Sequence, residues 1–162
     1  MSVPFLKNHE GKLATIAILV IVIPFFTAGC ISGGDENGPT TLTLSVPDMD
    51  KRPTNAGDVW DVTFDILKVT TDEADVRWVH MTVMIKDSSG SVLLQETPLS
   101  KDSGFYGSAV EAWYVDRGGD ANAADEGDAI KITGMSRMYQ AGQVTVRYRG
   151  ATAATATLPL IF

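Results

Sequence analysis

The chain predicts an all-β protein, a single antiparallel β-sandwich of about seven to eight strands. Three observations carry that expectation. Beyond residue 40, apolar residues alternate with polar ones at period two in one short segment after another. Clusters of Gly, Pro, Asp and Ser separate those segments. No window carries a convincing helical period.

Each strand has its own warrant. Residues 41–46 alternate threonine or serine with Leu42, Leu44 and Val46. Residues 59–69 place Trp60, Val62, Phe64 and Ile66 on one face and Asp61, Thr63 and Asp65 on the other, the pattern of a half-buried strand. Residues 77–85 repeat it with Val79, Met81, Val83 and Ile85. The turn cluster Asp87-Ser88-Ser89-Gly90 leads into residues 91–95, which predicts a hairpin. Residues 111–115, 129–133 and 143–148 supply three more strands, and Arg149-Gly150 turns the chain into 151–160 as a final hairpin. A short turn is expected near 103–110. The predicted core is Trp60, Val62, Phe64, Ile66, Val79, Met81, Val83, Ile132, Val144 and Val146. The cysteine pair and intervening tryptophan of antibody-type domains are missing, so the expectation is limited to an immunoglobulin-like (Ig-like) architecture.

The N-terminal segment speaks to location. Lys7 and Lys12 flank an apolar run over residues 13–26, followed by Thr27-Ala28-Gly29 and then Cys30, the single cysteine of the chain. A positive flank, an apolar core and small residues before a cut make a secretory signal. With a cysteine just after the cut, the segment resembles the lipobox of prokaryotic membrane lipoproteins. The resemblance implies cleavage between Gly29 and Cys30 and acylation of the Cys30 thiol. It divides the chain into a signal peptide (1–29), a lipidated cysteine with a flexible tether (30–40) and the β-sandwich domain (41–162). The polar, glycine-rich tether spans on the order of 18 Å for ten residues. Two other readings stand beside this one. The apolar run could remain as an uncleaved anchor helix, at the lower edge of a spanning length and kinked by Pro24. Alternatively, Gly11-Lys12 could be a pilin-type cleavage site that leaves the run on a polymerising subunit. All three put the domain outside the cytoplasmic membrane.

Composition excludes several classes of partner. The chain carries 13 basic and 20 acidic residues, a net charge of −7. Removing Lys7, Lys12 and Glu10 with the leader leaves 11 basic and 19 acidic residues, near −8. That balance argues against nucleic acid and anionic lipid headgroups, which attract basic patches. About 133 residues remain, enough for one domain with a real core. With Cys30 acylated, no thiol is left for a disulfide, a metal or a nucleophile.

The segment 116–128 is the most suggestive for chemistry. Asp116, Asp120, Asn122, Asp125 and Asp128 could supply oxygens to calcium. EF-hand spacing fails, however: counted from Asp116, position 6 is Ala121 and position 12 is Gly127. The competing reading is a loop whose Asp and Asn side chains bond their own backbone, and no cofactor is expected. The same stretch, from Tyr114-Val115-Asp116 through Gly127-Asp128-Ala129 to Gly134, is similar to a segment of secreted and pilin-like archaeal β-domains. The similarity runs over residues 112–160 and implies a surface-exposed domain of structural or adhesive type.

Catalytic constellations are thin. His80 is the only histidine after the leader, so a Ser-His-Asp triad would have to use it. Its expected place is mid-strand, opposite Val79 and Met81. Carboxylate pairs such as Asp61/Asp65 or Asp125/Glu126 arise readily in so acidic a chain. Trp78, Trp113, Phe105, Tyr106 and Tyr114 could form a binding platform or fill the core. The reading that follows is a non-enzymatic module at the outer face of the cell membrane, acting by contact with a protein or an envelope component. The alternatives are a pilin-like structural subunit and a substrate-binding lipoprotein of a transporter.

Overall fold

A computed structural model describes residues 39–136 and 142–158. The chain divides between Gly34 and Asp35, and every described residue belongs to the second unit. The predicted signal, Cys30 and residues 159–160 of the last predicted strand lie outside the described residues. Among those described, no helix is long and apolar enough to cross a membrane.

Among the described residues the protein is all-β, with ten strands in two sheets. They are β1 (Thr41–Leu44), β2 (Asp48–Thr54), β3 (Gly57–Thr70), β4 (Met81–Asp87) and β5 (Val92–Pro98). After them come β6 (Ser100–Lys101), β7 (Glu111–Val115), β8 (Ala129–Ser136), β9 (Gly142–Tyr148) and β10 (Ala151–Leu158). The larger sheet runs β1-β3-β8-β7-β6 with β2 also on β3, and the smaller runs β10-β9-β4-β5. Among the described strands only β6 and β7 pair in parallel.

The period-two pattern decides which faces meet. Val62, Phe64 and Ile66 on β3 and Ile130 and Ile132 on β8 turn inward. Met81, Val83 and Ile85 on β4 and Val144 and Val146 on β9 do the same from the other sheet, and all join one hydrophobic cluster. Burying a Leu- or Phe-sized side chain contributes roughly 1.5–3 kcal/mol, so this shared cluster is what holds the sheets together. β3 is so long that it takes two partners on one edge. Its first half pairs with β2, from Thr54↔Gly57 to Asp48↔Thr63, and its second half with β1, from Leu44↔Ile66 to Thr41↔Thr70.

The turns follow local chemistry. Asp87 Oδ1 accepts the backbone N–H groups of Ser89 and Ser91, each at 2.8 Å, and the Ser89 hydroxyl at 2.6 Å. Those bonds, the Ser89 hydroxyl first, hold the Asp87 carboxyl below its ordinary range. Between β9 and β10, Arg149 and Gly150 both have positive φ, at 49° and 84°, as a two-residue type I′ hairpin requires.

Several expectations need correction. The third predicted strand begins at Met81, because Trp78–His80 coil into a 3-10 turn. At three residues per turn the alternation is lost, so Val79 is 52% exposed instead of joining the core. Trp60 sits at the half-buried margin, where β3 shifts register against β8. Residues 103–110 contain no helical turn. Thr40, expected in the tether, is buried, with its hydroxyl 3.1 Å from that of Thr71. The strand β2 was not foreseen, since its sequence Asp-Met-Asp-Lys-Arg-Pro-Thr reads as a polar linker.

Candidate functional site: the outer face of the larger sheet

Strand register builds one row across the larger sheet. Asp48 of β2 faces Thr63 of β3, Thr63 faces Lys131 of β8, Lys131 faces Trp113 of β7, and Trp113 faces Ser100 of β6. The neighbours Val62, Phe64, Ile130, Ile132, Ala112 and Tyr114 are buried inward, so this row points outward. It crosses a depression of about 260 Å³ lined by Asp48, Asp50, Thr63, Asp65, Asp102, Val115, Arg117 and Lys131. Four carboxylates thus surround two cations.

One end of this face is covered by the segment between β6 and β7. Arg52 on β2 makes a two-pronged pair with Asp61 on β3, Nε to Oδ2 at 3.1 Å and Nη2 to Oδ1 at 3.2 Å. The same guanidinium donates to the carbonyls of Gly107 at 3.1 Å and Tyr106 at 3.5 Å, which ties the segment down. Asp61 is 4% exposed and also accepts the Gly134 N–H at 3.3 Å. Gly134 has φ +77°, and a Cβ there would collide with the Ala109 carbonyl, so only glycine lets the segment sit this close.

Tyr106 organises the cations. The Lys131 ammonium lies 4.7 Å from its ring centroid and the Arg52 guanidinium 5.7 Å, both in cation–π range. Trp113 meets the ring edge-on at 5.6 Å and anchors its indole N–H on Thr133 Oγ1 at 3.1 Å. The Tyr106 hydroxyl donates to Asp102 Oδ1 at 2.5 Å. Burial first, then that bond, push the phenol well above the ordinary tyrosine range. At the other end of the depression, Arg117 Nη1 donates to Asp65 Oδ1 at 2.7 Å. Beside it, Lys101 donates to Asp116 at 3.0 Å and, with the Gly118 N–H, holds that carboxyl below its usual range.

The acidic loop serves its own backbone. Asp120 Oδ1 accepts the Asn122 N–H at 3.0 Å and the Asn122 amide at 3.4 Å. Asp125 Oδ2 accepts the Asp120 N–H at 3.3 Å, and Asp116 Oδ1 accepts the Gly118 N–H at 3.0 Å. Asp128 is buried and accepts the N–H groups of Arg117 and Asp125, each at 2.9 Å, and the Tyr114 hydroxyl. Ala124 N–H donates to Val76 O at 2.6 Å and the Trp78 indole to Ala121 O at 3.0 Å, docking the loop on the segment before β4. Among the described residues, no group of three or more His, Cys, Asp or Glu is arranged to hold a metal ion.

The other candidates separate. His80 is exposed at the end of the 3-10 turn, with Tyr148 edge-on at 6.3 Å, and not in mid-strand as expected. Asp61 and Asp65 each hold a different arginine, and Glu126 is exposed beside Asp125. The aromatic residues divide between the two faces. Tyr114 is fully buried and stacks on Trp78 at 5.2 Å, whereas Tyr106 and Trp113 stand on the outer face and Phe105 is 82% exposed. Arg52, Lys131 and Arg117, with Asp48, Asp50 and Asp102, are site residues that sequence reading missed. The signal for Arg52 lay in the polar run before the Thr54–Gly57 turn.

The chain matches no family model, no curated protein and no solved structure.

Proposed function

We propose that this protein is a non-enzymatic binding module, held at the outer face of a prokaryotic cell membrane through lipidated Cys30. It acts by contact with another protein or an envelope polymer. The observation that carries the reading is the outward row from Asp48 through Thr63 and Lys131 to Trp113. It presents cations, carboxylates and an indole on paired strands, and such residues are held more firmly than loop residues would be. Lys131 and Arg117 are already oriented by Tyr106 and Asp65, which lowers the ordering cost of a partner's approach.

The finer architecture belongs to the same proposal. The order β1-β3-β8-β7 beside β10-β9-β4-β5 corresponds to the A-B-E-D and G-F-C strand order of immunoglobulin-type domains, with β5 as an additional strand next to C. Modules of that shape class recur in cell-surface contact, which is an argument from analogy and not from the site.

Photo-crosslinking in intact cells tests the reading. A crosslinker placed at Thr63 or Val115, inside the depression, should capture one specific adduct. Placed at Met84 on the smaller sheet it should not. Equal capture from both faces, or none from either, would refute the recognition surface. Intact mass of the membrane-extracted protein tests the anchor separately, because an unmodified Cys30 would end the lipoprotein assignment.

A further inference from the structure

The described strands end in edges that differ in chemistry. β2 carries Asp48, Asp50, Lys51, Arg52 and Pro53. β5 carries Glu96 and Pro98 and shifts register twice against β4. β6 has two residues and β1 four. Charges, prolines, irregularities and short lengths are the devices by which sheet edges avoid pairing with other chains. β10 lacks most of them. Its eight residues, Ala-Thr-Ala-Ala-Thr-Ala-Thr-Leu, contain no charge and no proline, and it lies outermost in the smaller sheet. After one register shift near Thr152 it runs regularly from Ala154 to Leu158.

An apolar groove of about 480 Å³ lies beside that edge. Thr155, Ala156 and Thr157 form one wall, and Leu44, Val46, Pro47 and Met49 form the other. Val46 is 90% exposed, the most exposed large apolar side chain among the described residues.

We propose that β10 pairs antiparallel with β10 of a second copy of this chain, joining two four-stranded sheets into one. Charge selects the occupant. Two acidic copies, near −8 each once the leader is removed, repel over most of their surfaces, and β10 offers an approach without like charges. β10 itself carries no charge that could pair with a strongly charged partner strand. The incoming strand needs small residues inward and uncharged polar residues outward, and β10 itself has that pattern. Thr155 and Thr157 are exposed while Ala154 and Leu158 are buried. A two-fold axis at Ala156 sets Thr155 against the partner's Thr157, and such cross-strand threonine pairs are favourable. Thr155–Thr157 also line the groove, so the same axis draws the two Val46 corners together and removes them from water. The two-fold closes on itself, giving a dimer and not a fibre. With the axis at Ala156 the described residues that overlap are Ala154–Leu158, an edge only about 17 Å long. The contact is therefore small, and dissociation falls in the micromolar range, roughly 1–100 µM.

Sedimentation equilibrium of the full chain in detergent, carrying Cys30→Ala, reads the prediction. The protein should be a dissociating dimer. Thr155→Lys/Thr157→Lys and Thr155→Glu/Thr157→Glu should each be monomeric, and mixing the two variants should restore the dimer. A monomer up to roughly 300 µM, well above that dissociation range, would overturn the proposal. So would association that neither variant alters, or variants that fail to pair on mixing. Hydrogen exchange on the Cys30→Ala protein gives an answer that needs no change at Thr155 or Thr157. Amides along Ala154–Leu158 should gain protection as concentration rises, and constant exchange there would also overturn the pairing.

Discussion

The hydroxyl of Tyr114, at the inward face of β7, hydrogen-bonds the carboxylate of Asp128, the residue just before β8. That bond spans the acidic loop from one end to the other, while the Ala123 carbonyl stands 2.9 Å from the same hydroxyl. Both residues are buried, and the stacked Trp78 covers the tyrosine ring. Tyr114→Phe removes the donor and leaves buried acceptors short of one partner. The expected loss is about 1–3 kcal/mol in urea unfolding, with the slope against urea unchanged. A loss below about 0.5 kcal/mol would mean that the Arg117 and Asp125 amides suffice to satisfy Asp128.

The same tyrosine predicts an alkaline limb. Burial first and the bond to Asp128 second raise the Tyr114 phenol above its ordinary value, and Tyr106 and Tyr148 are raised as well. In the unfolded chain these groups ionise near pH 10. A raised folded-state value means the native state keeps protons that the unfolded state releases. The resulting stability is fully present below pH 10 and declines above it, by at most about 1.4 kcal/mol per pH unit for the buried Tyr114 and by less for the other two. Melting temperature between pH 9 and 12 should therefore fall, and less steeply in Tyr114→Phe. Parallel curves for the two proteins would contradict the assignment.

Arg52→Ala should be more damaging than an ordinary surface substitution. It strips the two-pronged partner from Asp61, which is 4% exposed, and releases the carbonyls of Tyr106 and Gly107. About 2–3 kcal/mol is expected, below the range for a fully buried pair because the Arg52 side chain is 27% exposed. Proteolysis within 103–110 should accelerate in parallel. Destabilisation without faster cleavage there would show that Arg52 does not hold the segment down.

Gly150→Ala tests the last hairpin. With φ at 84°, an alanine is strained by about 1 kcal/mol or slightly more, worth several degrees of melting temperature in a domain of this size. No change would mean the turn relaxes into another type.

Calcium at millimolar concentration should leave the melting temperature unchanged, since the carboxylates of Asp116, Asp120, Asp125 and Asp128 are occupied by N–H and O–H donors. A rise of several degrees that Asp120→Ala abolishes would reverse this by mass action.

Alternation made most of the β-structure legible. Val62, Phe64, Ile66, Met81, Val83, Ile132, Val144 and Val146 are buried as their spacing indicates. Val79 failed because the stretch from Arg77 to Ile85 keeps a period of two in sequence while its first residues are pulled into a turn by the docked loop. Trp78 N–H reaches Asn122 O at 3.4 Å and Ala124 N–H reaches Val76 O. No local pattern encodes that. β2 was hidden for a related reason. It lies at an edge with its apolar residue Met49 only half-buried, so charge and Pro53 dominate its composition. The outer-face site depends on register: Thr63, Lys131 and Trp113 come from three strands, and nothing in their separate segments says that they align.

The pairing of β3 with β8 joins segments some 70 residues apart, Thr63 to Lys131 among them. The hairpins β2–β3, β4–β5 and β9–β10 can close from local sequence, but this central ladder waits until both distant segments exist and meet. Folding of such non-local β-topology belongs to the millisecond-to-second range. During that interval Val62, Phe64 and Ile66 stand uncovered on one side of a formed hairpin. In a growing chain, β3 is therefore the segment whose protection until β8 emerges decides between folding and aggregation.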